Sequence, residues 1–455
     1  MTHPVPSPLY RIAKLLFLGL WFLEVLFVVL KPAPELVAMI RPVGAYGLLL
    51  LAVITIPIAR RATLLVTGVA VMLGAVIMLY GVADRTDVEA GLAQALLFAG
   101  FLPTLHMLRA TAQAQSRVRL SQRRFAHLPT GSRRDGITLG AHAFGSVLNT
   151  GSFPVMAAVM RADADDEERR QFALASLRGM NLAPLWSPFF VAMALSSAYL
   201  PGVSLLAIMP VGLVIASVCL VLSVLWFGSR GRTATGELGW MIGIRALQPI
   251  ALGLAVLGLT VVSLAAVTPL GSLETIIIAV PPLCLLLLGF KKPAIYKVWR
   301  ITTARMDQSY DDLMIVVAAI TIASLAGQVD VAADLIRQGV STVPAPIAIG
   351  GLIMACFLPA MIGIHPMIPT AILLAALTTG PQPLADVVLM GVALTGWSAG
   401  TMCSVSSMSV VVCSGLFRVP AWRLMVSANM GFALAVISIA TLVLSALQFL
   451  LTQFP

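Results

Sequence analysis

Six stretches of this sequence are apolar for long enough, or nearly so, to cross a bilayer as a helix: Ile12 to Leu30, Val43 to Ile58, Thr63 to Val82, Leu92 to Leu108, Val203 to Phe227 and Leu424 to Leu451. A hydrocarbon core is about 30 Å thick and a helix rises about 1.5 Å per residue, so roughly 20 apolar residues reach across. No other feature of the chain limits its fold as strongly. In lipid every backbone N–H and C=O must be satisfied within the protein, which leaves helices or closed barrels. These runs lack the alternation of a barrel strand. Composition agrees, with 59% of residues hydrophobic and 11% charged, where a soluble domain has about a quarter charged. The expectation is an all-α polytopic membrane protein.

The five cysteines, Cys219, Cys284, Cys356, Cys403 and Cys413, all lie inside apolar stretches without metal-ligand spacing. They read as small packing residues. The first apolar block follows Arg11 and Lys14 as a signal sequence would. It is long for such a segment and no small-residue cleavage site follows Leu30, so residues 1–42 are expected to hold a retained first helix.

The net charge of +10 is unevenly spread. One basic cluster runs from Arg109 to Arg134 and a second comprises Lys291, Lys292, Lys297, Arg300 and Arg305. Smaller groups are Arg60/Arg61, Arg230/Arg232 and Arg418/Arg423. The connections between them carry Asp84, Asp87, Glu89, Glu274, Asp330 and Asp334, with only Lys31, Arg41, Arg85 and Arg337 as cations. Basic connections stay in the cytoplasm. The alternation therefore predicts a cytoplasmic N-terminus and an outer C-terminus in a bacterial-type inner (plasma) membrane. The basic stretches lie near anionic headgroups, so the lipid bilayer is their partner. Nucleic acid is excluded, because no aromatic-interleaved or groove-fitting motif accompanies the arginines. The mixed run Asp163 to Arg170 has consecutive carboxylates, not a coordinating arrangement, and begins a long helix; it reads as a solvated loop in preference to a metal site.

The alternation holds only if two apolar stretches enter and return on one side. The first hairpin, 136–160, turns at Asn149-Thr150-Gly151-Ser152-Phe153-Pro154. The second, 346–380, turns at Gly363-Ile364-His365-Pro366. Non-helical backbone at membrane depth is tolerated where protein encloses it or water fills a cavity. After each hairpin comes an interruption rich in small and helix-breaking residues, Gly179 to Pro188 and Gly396 to Ser404. An offset of about 217 residues relates them, and one of about 215 carries Thr150 to His365. The order of helices, polar linker, hairpin, broken helix and full helix is shared. Two inverted repeats are read from it, 43–227 and 228–455. Inverted repeats whose broken helices meet at mid-membrane point to a transporter's binding site.

That order of elements resembles the ion transporter superfamily, and within it the divalent-anion/sodium symporters and their relatives. The first tip, Asn149-Thr150, matches two residues of that family's Ser-Asn-Thr motif. The second tip, Gly363-Ile364-His365-Pro366, does not match. Ala183-Pro184-Leu185 and Ala399-Gly400-Thr401 stand near the places of its Thr-Pro-Pro stretches. The resemblance covers about Val43 to Leu451 as architecture. It implies about 11 transmembrane helices, two opposed re-entrant hairpins, and a homodimer whose transport domain moves against a scaffold.

Candidate binding residues follow from these breaks. Asn149, Thr150, Gly151 and Ser152 are expected to bind substrate or a cation, or to cap the return limb. Asn149 and Thr150 are the candidates for a transported Na+. Gly363, His365 and Pro366 form the second tip. An ionisable residue at mid-membrane is a functional hypothesis by default, and a histidine there can carry a coupled proton or meet an anion. Asn181, Ser398, Thr401 and Ser404, with Ser406 and Ser407, sit in the broken helices and either bind substrate or pack between helices. Arg178 is read as snorkelling to the interface, or else as standing near the cytoplasmic end of a substrate path. His142 is read as structural, and Glu24 has no legible partner.

The function expected is ion-coupled secondary active transport of small organic anions or polar solutes by alternating access, with Na+ or H+ as the coupling ion and no cofactor. A membrane subunit of a larger system needing a partner protein, or a passive channel, are the alternatives. An enzyme is not expected, since Glu24, His142 and His365 form none of the constellations that intramembrane catalysis needs.

Overall fold

A computed structural model of the chain describes residues 8–129, 132–161, 163–228, 238–268, 270–307, 309–378, 380 and 383–453. Arg230 and Arg232 lie outside them. No strand occurs among the described residues, and the regular structure is helical throughout. In chain order the helices are α1 (Pro8–Leu30), α2 (Pro34–Thr55), α3 (Arg61–Leu79), α4 (Arg85–Ala114), α5 (Ser116–Ala126), α6 (Arg133–Leu148), α7 (Phe153–Ala157), α8 (Asp166–Asn181), α9 (Val191–Tyr199) and α10 (Leu205–Phe227). They continue as α11 (Gly239–Val267), α12 (Ser272–Leu287), α13 (Lys292–Met306), α14 (Tyr310–Ala326), α15 (Asp330–Thr342), α16 (Ala345–Met361), α17 (Met367–Thr378), α18 (Asp386–Cys403), α19 (Met408–Phe417), α20 (Ala421–Met425) and α21 (Ala428–Gln453).

Seven spans among the described residues are long and apolar enough to cross a membrane: Pro8–Leu30, Pro34–Ile58, Arg85–Ala114, Leu205–Phe227, Gly239–Val267, Asp386–Phe417 and Ala428–Gln453. The pair α13 and α14, bent by 56° at its junction, makes an eighth if counted as one span. These helices mark the chain as a helical membrane protein. The apolar block Leu424 to Leu451 is not one helix. The Ser427 hydroxyl donates to the Leu424 carbonyl at 2.6 Å and accepts the Asn429 N–H at 3.2 Å, which ends α20 and caps α21. Such local bonding by serine competes with helix continuation.

The helices pack as two compact units, each assembled from distant parts of the chain. The boundaries expected at residues 43 and 228 follow sequence order, whereas these units follow contact.

The first unit comprises Met1–Thr111, Thr268–Gln338 and Ala371–Pro381. In it α1 packs on α2 and α12, and α14 on α2 and α3. Trp21 of α1 donates its indole N–H to the Thr104 hydroxyl at 3.1 Å and stacks on Trp299. The bend between α13 and α14 is tied to three other elements. Asp307 pairs with Lys14 at 3.3 Å, Asp311 pairs with Arg60 at 3.5 Å, and Ser309 bonds His106 of α4.

The second unit comprises Ala112–Val267, Gly339–Thr370 and Gln382–Pro455. Here α6 packs closely on α8, and α18 lies between α16 and α21. The approach of α18 to α16 depends on Gly396, where a Cβ would come within 2.4 Å of the Cys356 Cβ. Close backbone approach at small residues is how membrane helices gain packing contacts when lipid offers no hydrophobic driving force.

That packing corrects one expectation. The interruption placed at Gly396 to Ser404 begins only at Ser404, and α18 runs unbroken through Cys403. Its glycines serve contact with a neighbour, and the Thr401 hydroxyl turns back to the Trp397 carbonyl at 2.9 Å within the helix. The earlier interruption comes nearer to expectation. Helix α8 ends at Asn181, a 3-10 turn covers Ala183–Leu185, and α9 starts at Val191.

The two tip sequences also end helices. Asn149 closes α6 with φ 53 and ψ −131, a positive-φ conformation outside the left-handed helical region that residues other than glycine seldom adopt. A 3-10 turn, Asn149–Ser152, leads into the five residues of α7. Helix α16 ends in a Schellman motif, in which Gly363 at φ 92 donates to the Ala360 carbonyl at 3.2 Å and Ile364 to the Pro359 carbonyl at 3.0 Å.

Candidate functional site

Within the second unit the two helix breaks meet. Asn181, the last residue of α8, donates its amide to the Leu177 carbonyl at 2.9 Å. Its Oδ1 accepts the Ser409 hydroxyl of α19 at 3.2 Å, joining residues 228 apart in sequence. Asn181 is 1% exposed, so this bond lies in the interior. Ser407 caps α19 by accepting the Ser409 N–H at 3.1 Å and donates to the Thr401 carbonyl at 2.7 Å. Ser404 and Ser406 share a hydroxyl bond of 2.8 Å. The break at 404–407 is therefore made by serines that satisfy the backbone groups a continuous helix would have satisfied. One turn before α18 ends, the buried Ser398 hydroxyl has no hydrogen-bond partner among the described residues.

The turn 149–152 packs beside α8 and α19. Ser152 is fully buried and donates to the Asn149 carbonyl at 2.8 Å, so its hydroxyl serves the turn. Asn149, Thr150 and Gly151 are half-buried. A Cβ at Gly151 would make only ordinary contacts, the nearest at 3.5 Å, so the turn itself does not demand glycine there. The turn at 363–366 meets α18. The His365 ring stands edge-on to Trp397 with centroids 5.8 Å apart, and Pro366 lies against Gly400. His365 Nδ1 accepts the Met367 N–H at 3.3 Å at the start of α17, leaving Nε2 without a described hydrogen bond.

The candidate residues thus fall into two groups. Asn149, Thr150, Gly151, Ser152 and Asn181 gather with α8 and α19, and Ser404 stands in the break between α18 and α19, whereas Gly363, His365 and Pro366 gather along α18 near Ser398 and Thr401. No hydrogen bond or ring contact among the described residues links the two groups directly.

Arg178 does not snorkel. It is 1% exposed, donates to the Ser223 hydroxyl at 3.0 Å and to Asn429 Oδ1 at 2.8 Å, and lies 4.2 Å from the centre of the Phe227 ring. No carboxylate among the described residues is within ion-pair distance. Asn429 in turn donates to the Leu174 carbonyl at 3.2 Å. A guanidinium held by neutral acceptors and an aromatic face keeps its charge without a counter-ion. Sequence reading missed Ser223, Ser409 and Asn429. The available signal was a lone polar residue near the end of an apolar run for Ser223, and for Ser409 and Asn429 the last of a few polar residues at the start of one.

His142 has both ring nitrogens engaged. Its Nδ1 faces the Gly179 carbonyl at 3.1 Å and its Nε2 accepts the Trp186 N–H at 3.2 Å. Both ring nitrogens are used by a neutral imidazole. All five cysteines are buried. No group of three His, Cys, Asp or Glu residues among those described is placed to hold a metal ion.

Fold and interior together define a polytopic helical membrane protein with two interrupted helices bonded to one another. No protein-family model matches the chain, and no curated protein matches it.

Proposed function

We propose that the protein is a secondary active transporter of small anionic or polar solutes, coupled to a proton or sodium gradient and working by alternating access. The observation that carries this reading is the Asn181–Ser409 bond, because it joins the two breaks that an inverted repeat would bring together. Breaks of this kind offer backbone N–H and C=O groups to a ligand where helices otherwise consume them. The buried Arg178 guanidinium gives the same unit a fixed positive charge and favours an anion over a cation as cargo.

On this reading about 11 crossings and two opposed re-entrant hairpins, 136–160 and 346–380, build repeats 43–227 and 228–455. The chain forms a homodimer in a bacterial-type inner membrane, with its N-terminus in the cytoplasm and its C-terminus outside. The resemblance to divalent-anion/sodium symporters belongs to the same proposal. Asn149 and Thr150 are its sodium candidates, and His365 is its proton candidate in the second unit.

Solute-induced currents on proteoliposomes test it, with a panel of carboxylates, sulfonates and amino-acid derivatives under imposed sodium or proton gradients. The expected result is a current with one substrate class driven by one ion, cut at least about tenfold by Asn181→Ala, as losing a buried hydrogen bond of about 1.5 kcal/mol would do. Flux that never accumulates against a gradient would make the protein a channel. Silence across the panel until a partner protein is added would make it a subunit.

A further inference from the structure

Glu24 of α1 is closed in by the first unit. It is 1% exposed, and α4 approaches so closely that a Cβ on Gly100 would come 2.9 Å from the Glu24 Cβ and 3.0 Å from Ile277 of α12. Three helices therefore meet at this carboxyl. Its Oε1 is buried with no hydrogen-bond partner among the described residues. The charged groups that act on it are Arg41 of α2 and Glu274 of α12. Arg41 is half-buried and its Nε is also buried and unbonded. Glu274 accepts the Gly271 N–H at 3.0 Å in the first turn of α12. Helix α4 brings no titratable side chain within a turn of Gly100. Helix α13 reaches α1 through Trp299, stacked on Trp21, while its Lys297 and Arg300 are exposed.

An ionised carboxylate in this place would be a buried charge with an empty acceptor and, among the described residues, no cation within ion-pair distance. Such a group costs several kcal/mol and neutralises instead. A carboxylic acid removes the charge and leaves only a neutral polar group to satisfy.

We propose that Glu24 is a proton-binding site, its carboxyl held in the protonated form where α1, α4 and α12 close around it. The site stands on the first unit alone and does not rest on the transport reading. Within that reading it adds a second proton candidate, on different elements from His365.

Infrared difference spectroscopy on the purified full-length protein in liposomes tests the site without any substrate. Stepping from neutral to alkaline pH should remove a C=O stretching band of a protonated carboxyl. That band should be absent from Glu24→Gln and displaced in Glu24→Asp. Glu24→Gln has the shape of the neutral acid and should fold with an unchanged or higher thermal midpoint. A wild-type spectrum without the band, or a band that persists in Glu24→Gln and keeps its position in Glu24→Asp, would overturn the proposal. So would a Glu24→Gln protein that no longer folds, because the amide should replace a neutral carboxyl but cannot replace a carboxylate.

Discussion

Arg178 carries much of what one side chain decides in this protein. Its guanidinium joins α8 to Ser223 near the end of α10 and to Asn429 at the start of α21, and it covers the ring of Phe227. Replacing it by methionine keeps much of the volume but strands two buried acceptors, each worth about 1–3 kcal/mol when left unpaired. We expect Arg178→Met to lose about 3 kcal/mol, read as a fall in the thermal unfolding midpoint in detergent. Arg178→Lys should recover little, since one ammonium cannot reach both acceptors in the forked geometry of a guanidinium. An unchanged midpoint in the methionine variant would mean that the network contributes nothing. The residue was visible in the sequence as a cation just before a break. Its burial was not, because one-dimensional spacing does not say which side of a helix meets two others. His142 and His365 divide in the same way. Both are histidines in apolar surroundings, but only the first has both ring nitrogens bonded.

Whole elements respond to their ends. The run Asp163 to Arg170 reads as solvated and as the beginning of a long helix, and α8 begins inside it at Asp166. Asp165 is its N-cap, accepting the Glu168 N–H at 2.7 Å. Acidic residues in the first turn complement the positive end of the helix, so the same charges that suggest a solvated loop also favour a helix start. Asp163 stays in the loop, paired with Arg161. Glu167 accepts from Arg170 at 2.9 Å and from Gln171 at 2.6 Å, and these bonds hold its carboxyl down at about 2. A carboxyl of depressed value adds stability that is fully present above the unfolded value of about 4.3 and is lost as pH falls toward the folded one. The thermal midpoint should therefore decline as pH drops from about 4.3 to about 2, and Glu167→Gln should flatten that part of the profile. A profile of equal slope in both proteins would remove Glu167 from the acid response. The effect is small, because the pair is exposed and water and salt screen it.

At the scale of the whole molecule the distribution of basic residues predicts an orientation that labelling can test. All five native cysteines are buried, so single cysteines placed at exposed positions can be read against a quiet background. Tyr80, 82% exposed, ends α3, and Arg117 lies exposed at the start of α5 in the main basic cluster. A membrane-impermeant maleimide should label Tyr80→Cys on intact cells and Arg117→Cys only after permeabilisation. The reverse pattern would invert the topology, and labelling of both from outside would break the alternation on which the two hairpins rest. The sequence by itself determined the membrane class, the helical architecture and the chain positions of most breaks. Those follow from local physics: bilayer thickness fixes helix length, backbone groups must be satisfied within the protein, and Asn, Gly, Pro and Ser terminate helices through their own conformations and bonds. Only the tertiary structure decided that Gly396 and Gly400 lie inside a helix and not at a break, that Asn181 meets Ser409, and that Arg178 and Glu24 are buried. Each of these depends on which helix faces come together, and residues 228 or 251 positions apart leave no mark of that choice on one another along the chain.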